Sequence, residues 1–332
     1  MFEVAYLCSD DENPSSAISI RIFRRIEKKF GIKINVHPVK YAVKNDGLLP
    51  DESITALKRA DAVFISTRFS LSDISSNLCK SLGLYCIIRC LKPYFCNNSL
   101  NNNEFGRIKN DCYIVNDVGP CTHDKECGYR FGRAGREAYD TISYPELEIE
   151  RIQRLAYELS EKEGRDLVSA DNSDTTCTGR LWRKILHDLN EDYPSVSVRD
   201  VFVRDFAGFA AKAEKPYTVV SSRLYGNVIS DFLKLINDVS SLPFSIAGDS
   251  VNAIYGVETR VSGFGRESVN PLSEMYAAAM LLDLSFNAAD ASYAIDAAIE
   301  KTIRQAYNND AALKSGKDGL LIDFCNEVID NI

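Results

Sequence analysis

Short apolar runs of strand length recur along this chain with helix-period segments between them, and this alternation narrows the fold more than any other feature. A strand reached again only after a helical crossover runs parallel to its predecessor, so helices cover the sheet. Residues 2–8, 32–36, 60–66, 86–91 and 112–115 read as strands, and so do 167–170, 196–203 and 217–221. Asn13-Pro14-Ser15 opens a helix that turns Ile18, Ile22 and Ile26 inward and stops at Gly31. Ser143-Tyr144-Pro145-Glu146 reads as a second entry, a serine cap with a glutamate three residues on. The helix it opens buries Ile149, Ile152, Leu155 and Leu159 and ends at Gly164. A further helix covers 180–190. The alternation stops near Gly248, and from Val269 the chain is mostly helical, with an alanine-rich hairpin from Met275 to Ala306. The expectation is an α/β protein with a largely parallel sheet.

At 332 residues the chain exceeds one small core and suits two lobes or one large α/β unit. A formal charge of −8 with no basic stripe argues against nucleic acid or an anionic membrane surface as partner. No apolar run approaches the roughly 18 residues of a membrane helix. The sequence enters its first strand without an Arg-rich leader, so a cytoplasmic protein is expected. The asparagine-rich stretch 97–103 reads as an exposed loop at a crossing between lobes. Of ten cysteines, Cys86, Cys90, Cys96, Cys112, Cys121 and Cys127 cluster, with His123 among them. No Cys-x-x-Cys pair is present, and Cys86 and Cys90 lie in an apolar strand, so buried or incidental thiols are expected over a metal or redox site.

Arg223-Leu224-Tyr225-Gly226-Asn227-Val228-Ile229-Ser230-Asp231 resembles the Asn-Leu-Phe-Gly-Asp-Ile-Leu-Ser-Asp segment of the β-decarboxylating dehydrogenases, the isopropylmalate and isocitrate dehydrogenase family. Further blocks follow in the family's order: Tyr139-Asp140-Thr141 with Pro145, Asp171 with Arg180-Leu181-Trp182-Arg183, and Asn270-Pro271 before the run 277–282. The resemblance implies a two-lobe isopropylmalate dehydrogenase-like fold, with a large mixed sheet flanked by helices and a cleft between lobes. The large, dinucleotide-binding lobe would span 1–98 plus 249–332, and the small lobe, for dimerisation, metal and substrate, 99–248. It also implies NAD and magnesium as cofactors and a homodimer formed through small-lobe helices and a β arm.

The residues that carry the family's chemistry are where this chain departs from it. The family's metal site uses two aspartates one helical turn apart; here they are Asn227 and Asp231. A third metal aspartate falls near Val203, and a local shift brings Asp205 to it. The family lysine that moves a proton is Asn172, which cannot titrate. The family tyrosine before Phe-Gly is Arg130, with Tyr129 adjacent. Of three substrate arginines Arg89 remains, one is Cys79, and the third falls at Asn116 or His123. Asp174 replaces an asparagine beside Asn172. The adenine loop reads Asn252-Ala253-Ile254-Tyr255-Gly256-Val257-Glu258-Thr259-Arg260, leaving Tyr255 to stack on a base and Asn270 to bind cofactor. The glycine-rich first turn has become Ser9-Asp10-Asp11-Glu12, whose carboxylates repel phosphate.

Each departure also has a plain structural reading. Asp231 suits local pairing, Asp174 a solvated or capping role, and Arg89 a structural salt bridge. Taken together they point to a homologue inactive in oxidative decarboxylation, structural or regulatory, beside a second copy or a catalytic paralogue. The alternatives are a cleft rebuilt for another small anionic ligand around Arg89, Arg130, Asp174 and Asp231, or an active NAD(P)- and metal-dependent dehydrogenase of a 2-hydroxy acid such as 3-isopropylmalate. In the last case Tyr129 and Asp205 would carry the expected roles.

Overall fold

A computed structural model of the chain describes residues 1–9, 12, 14–40, 49–67, 76–92, 110–118, 127–237, 239–248, 253–259, 261–262, 265–266, 269–308 and 318–332. They fall into two compact units, Met1–Leu84 with Val239–Ile332, and Tyr85–Asp238. In chain order the first unit begins with β1 (Phe2–Cys8), α1 (Ile18–Phe30), β2 (Ile34–Lys40), α2 (Asp51–Arg59), β3 (Ala62–Ile65) and α3 (Ser76–Ser81). Next come β4 (Leu84–Leu91), β5 (Cys112–Asp117), β6 (Cys127–Gly132), β7 (Gly135–Asp140), α4 (Glu146–Glu163), β8 (Asp166–Asp171) and α5 (Cys177–Leu189). The second unit ends with β9 (Val198–Phe202), α6 (Phe206–Lys212), β10 (Tyr217–Ser221) and α7 (Arg223–Ile236). The chain re-enters the first unit with β11 (Ser241–Gly248), β12 (Ala253–Thr259), β13 (Val261–Ser262), β14 (Gly265–Arg266), α8 (Pro271–Leu284), α9 (Ala289–Asn308) and α10 (Asp318–Asn331).

In the first unit the strand order is β2-β1-β3-β12-β11, parallel throughout except for the β12–β11 pair. Val4 to Cys8 of β1 are all buried, as a central parallel strand covered on both faces requires. α1 buries Ile20, Ile22, Phe23 and Ile26 at helical spacing, and Gly31 closes it at φ 70°, a conformation that favours glycine. Ile18 is only half-buried. Residues 273–282 of α8 are buried all round, because α1, α9, β11 and β12 pack on it. Residues 253–259 correct a sequence expectation. They form strand β12, not a loop beneath a base, since β3 and β11 take both backbone edges and Ile254, Tyr255 and Val257 are buried.

The second unit has the order β4-β5-β10-β8-β9, with β4 antiparallel to β5 and the other pairs parallel. α4 buries Ile149, Ile152, Ala156, Tyr157 and Leu159, each worth up to about 1.5–3 kcal/mol where the side chain is large. Leu155 is only half-buried. The N-cap of α4 is Pro145, without a side-chain bond, so the expected Ser143 cap does not form. α5 starts at Cys177, earlier than the apolar period suggests, because Thr176 Oγ1 accepts from Gly179 N at 3.1 Å. A Cβ at Gly179 would come within 2.7 Å of the Asn172 backbone, so glycine lets the helix start lie against the turn after β8. Among the described residues no helix is long and apolar enough to cross a membrane.

Candidate functional site

Arg89 lies in β4 and is only 2% exposed, so its guanidinium must be met by polar groups. Nη1 donates to Asn116 Oδ1 at 2.8 Å from β5, and Nη2 to Asn227 Oδ1 at 3.0 Å from the first turns of α7. Asn116 Nδ2 in turn donates to the Asp117 carbonyl. Gly226 makes this approach possible, because a Cβ there would sit 2.6 Å from the Asn116 side chain. One turn on, Asp231 is mostly exposed and pairs with Lys234 Nζ at 2.9 Å, the lysine side chain being buried. The two expected metal positions therefore answer to cations of the chain itself. A divalent ion at Asn227 would face the Arg89 guanidinium and only one carboxylate, which does not fit magnesium. Among the described residues no group of three His, Cys, Asp or Glu is placed to hold a metal.

The turn after β8 brings a second expected residue to the same helix. Asp171 is buried and takes both Nε and Nη2 of Arg183, at 2.9 and 2.8 Å, together with Ser169 Oγ and Ser173 N. The Asn172 carbonyl accepts from Thr175 N and Thr176 N, which folds the turn back on itself. Asn172 lines a pocket of about 310 Å³ that Asn227 also lines. Its wall is mostly apolar, with Tyr144 and Trp182 meeting edge to face at 5.8 Å and Leu224 contributed by α7. Neither asparagine can move a proton, and Asp171 is committed to Arg183, so the described pocket residues supply no general base of the lysine type.

The other expected residues lie elsewhere. Asp174 is bonded to Arg204, which also approaches Asp205 at 3.9 Å and lies over the Phe202 ring. Asp205 is an exposed carboxylate beside an arginine, an arrangement that serves surface pairing rather than metal. Tyr129 and Arg130 sit on the β6–β7 hairpin: Tyr129 is 72% exposed under Arg136, and Arg130 pairs with Glu137 at 2.9 Å. Tyr255 corrects the stacking expectation. Its ring is 1% exposed, its hydroxyl meets Ser285 Oγ at 2.7 Å, and burial pushes it up to about 12. Asn270 caps α8, its Oδ1 accepting from Leu272 N. Cys79, Cys86, Cys90 and Cys112 are buried, and burial raises the Cys86 and Cys112 thiols, which keeps them protonated and inert. Asp10, Asp11, Cys96, Cys121, His123, Asn252, Arg260 and the stretch 97–103 lie outside the described residues.

A profile of the isocitrate/isopropylmalate dehydrogenase family matches residues 12–332. The chain belongs to that family. It is 26% identical over 337 aligned positions to a 3-isopropylmalate dehydrogenase of Moorella thermoacetica, covering 92% of each chain. It is also 26% identical to the 3-isopropylmalate dehydrogenase of Haemophilus influenzae, again with 92% of each chain covered. Two solved structures share the fold: the apo β-decarboxylating dehydrogenase of Thermococcus kodakarensis (TM-score 0.69, 19% identity, 100% of this chain and 96% of that one) and the isocitrate dehydrogenase of Methylococcus capsulatus (TM-score 0.69, 14% identity, 100% and 99%). This member of the isocitrate/isopropylmalate dehydrogenase family thus carries amides where its resemblance implies charged groups. Sequence reasoning missed the partners of those amides. Lys234 stands three residues after Asp231, a spacing at which helical side chains pair, and Trp182 enters the sequence reading only as a frame residue.

Proposed function

We propose that this chain is a non-catalytic member of the isocitrate/isopropylmalate dehydrogenase family, acting as a structural or regulatory subunit. The observation that carries the reading is Arg89 bonded to Asn116 and Asn227. The guanidinium donates to neutral amides of the chain, one of them at a family metal position. Substrate carboxylate and cation would each have to displace a buried, charge-assisted contact worth about 1.5–3 kcal/mol. Asn172 adds a second loss, since it has no proton to exchange. The burial of Tyr255 takes one expected cofactor contact out of reach of a dinucleotide, and Asn270 spends its Oδ1 on capping α8.

A dimer suits this role. Leu224, Val228 and Leu235 are all more than half exposed on one face of α7, as is Phe131 on the hairpin. The cytoplasm is the compartment the reading implies, where the thiols remain reduced. A second reading, an active dehydrogenase of a 2-hydroxy acid, rests on the curated relatives being named 3-isopropylmalate dehydrogenases. Calorimetric titration with NAD and NADP, with magnesium and either 3-isopropylmalate or isocitrate present, separates the two. Silence across all combinations upholds the non-catalytic reading, whereas micromolar dinucleotide binding with turnover replaces it by the second.

A further inference from the structure

We propose that the Arg89 guanidinium stands in for the divalent cation of the family's metal position, as a resident cation that closes this position to metal ions. Asn227 is then a residue re-used rather than lost, since its amide oxygen serves the guanidinium. The inference shares Arg89 with the reading of the chain as non-catalytic, but it concerns another property, whether folding is linked to metal at all. A chain that binds a dinucleotide and ignores manganese would fail that reading and keep this one.

Three observations carry the inference, all from the second unit. Arg89 leaves β4 and is only 2% exposed, and it donates to Asn116 Oδ1 of β5 at 2.8 Å and to Asn227 Oδ1 of α7 at 3.0 Å. One buried positive group thus joins two strands and a helix through oxygen acceptors, which is what a bridging cation does. The approach of α7 to β5 is also close, because a Cβ at Gly226 would lie 2.6 Å from the Asn116 side chain. Magnesium keeps several waters in an octahedral shell, and such a shell would have to part helix from strand. The charges point the same way. Asp231, one turn on, is paired with Lys234 Nζ at 2.9 Å, and that lysine side chain is 1% exposed. A divalent ion would therefore meet two fixed positive charges of the chain and one carboxylate already paired. Like charges brought this close repel, and no further carboxylate is on hand to offset them.

Urea denaturation of the full chain, in manganese(II) or in EDTA, tests this. The parent should have the same midpoint in both. So should Asn227→Asp, because the introduced carboxylate goes to the guanidinium rather than to the ion. In an Arg89→Gln background, Asn227→Asp should cost at least about tenfold more in the folding equilibrium constant than it does in the parent. Manganese should then recover stability in this double variant, whose position no longer holds a guanidinium. A manganese-dependent midpoint in the parent or in Asn227→Asp alone would overturn the proposal. So would an equal cost of Asn227→Asp in both backgrounds. A double variant indifferent to manganese would overturn it as well, since something other than the guanidinium would then keep the ion out. If Arg89→Gln fails to fold, the manganese response of the parent and of Asn227→Asp still decides.

Discussion

Arg89 shows how a single side chain keeps a family position while its use changes. Its identity was legible in the sequence, and so was the cost of burying it, but the two asparagines that meet it come from β5 and α7. Removing it leaves two amide acceptors without their donor, Asn116 buried in β5 and Asn227 half-buried at the start of α7. Arg89→Ala should therefore lose about 3 kcal/mol in urea denaturation, and Arg89→Lys should recover little, because one ammonium does not span both amides. A loss below half that value would mean water reaches the site. Glu274 offers a second test at this scale. It is buried in α8, where Ser19 N and Oγ bond its carboxylate at 2.9 and 2.7 Å. Burial, and less strongly the Glu12 carboxylate, raises its pKa against the pull of those bonds. A carboxyl raised on folding contributes stability that is fully present below its ordinary value of 4.5 and lost as pH climbs through the folded value. Glu274→Gln should remove that fall, so the melting curves of variant and parent should diverge as the pH climbs above 4.5, in the variant's favour. Parallel curves would refute the assignment.

At the scale of elements, two glycines and one cap set the geometry around the pocket. Gly226 sits in the first turns of α7 and Gly179 in those of α5, and sequence alone reads each as a weak point in a helix. The structure gives each a reason, in the Asn116 side chain and the Asn172 backbone that a Cβ would strike. Gly226→Ala should thus destabilise by about 1–3 kcal/mol, although alanine gains about 1 kcal/mol of helix propensity. Thr176→Ala should cost about 1 kcal/mol by loss of the α5 cap. Thermal melts of the two variants decide this, and a Gly226→Ala protein more stable than its parent would show that Asn116 yields. The element pattern itself was legible: most strands and helices lie where period and punctuation put them. Two of the misses, the start of α5 and the strand at Ala253–Thr259, arose where a threonine cap and two sheet neighbours outweighed local pattern. The absence of a Ser143 cap and the strands β6, β7 and β11 were also not legible.

For the whole molecule, the exposed face of α7 makes a claim about assembly. Val228 and Leu235, both more than half exposed on one helix face, should be covered in solution by a second copy. Sedimentation should give a dimer, and Val228→Glu combined with Leu235→Glu should give a monomer with unchanged far-ultraviolet dichroism. A parent chain that sediments as a monomer would remove the subunit reading in its homomeric form. The sequence by itself determined the α/β class, the family and the loss of a titratable group at Asn172, because these depend on local periodicity and on which side chains are present. Only the tertiary structure decided that Asn227 faces Arg89, that Tyr255 is core, and that two helix starts share one pocket. Those facts join residues distant along the chain or fix which way a side chain points, and both follow from how strands and helices pack rather than from any local pattern.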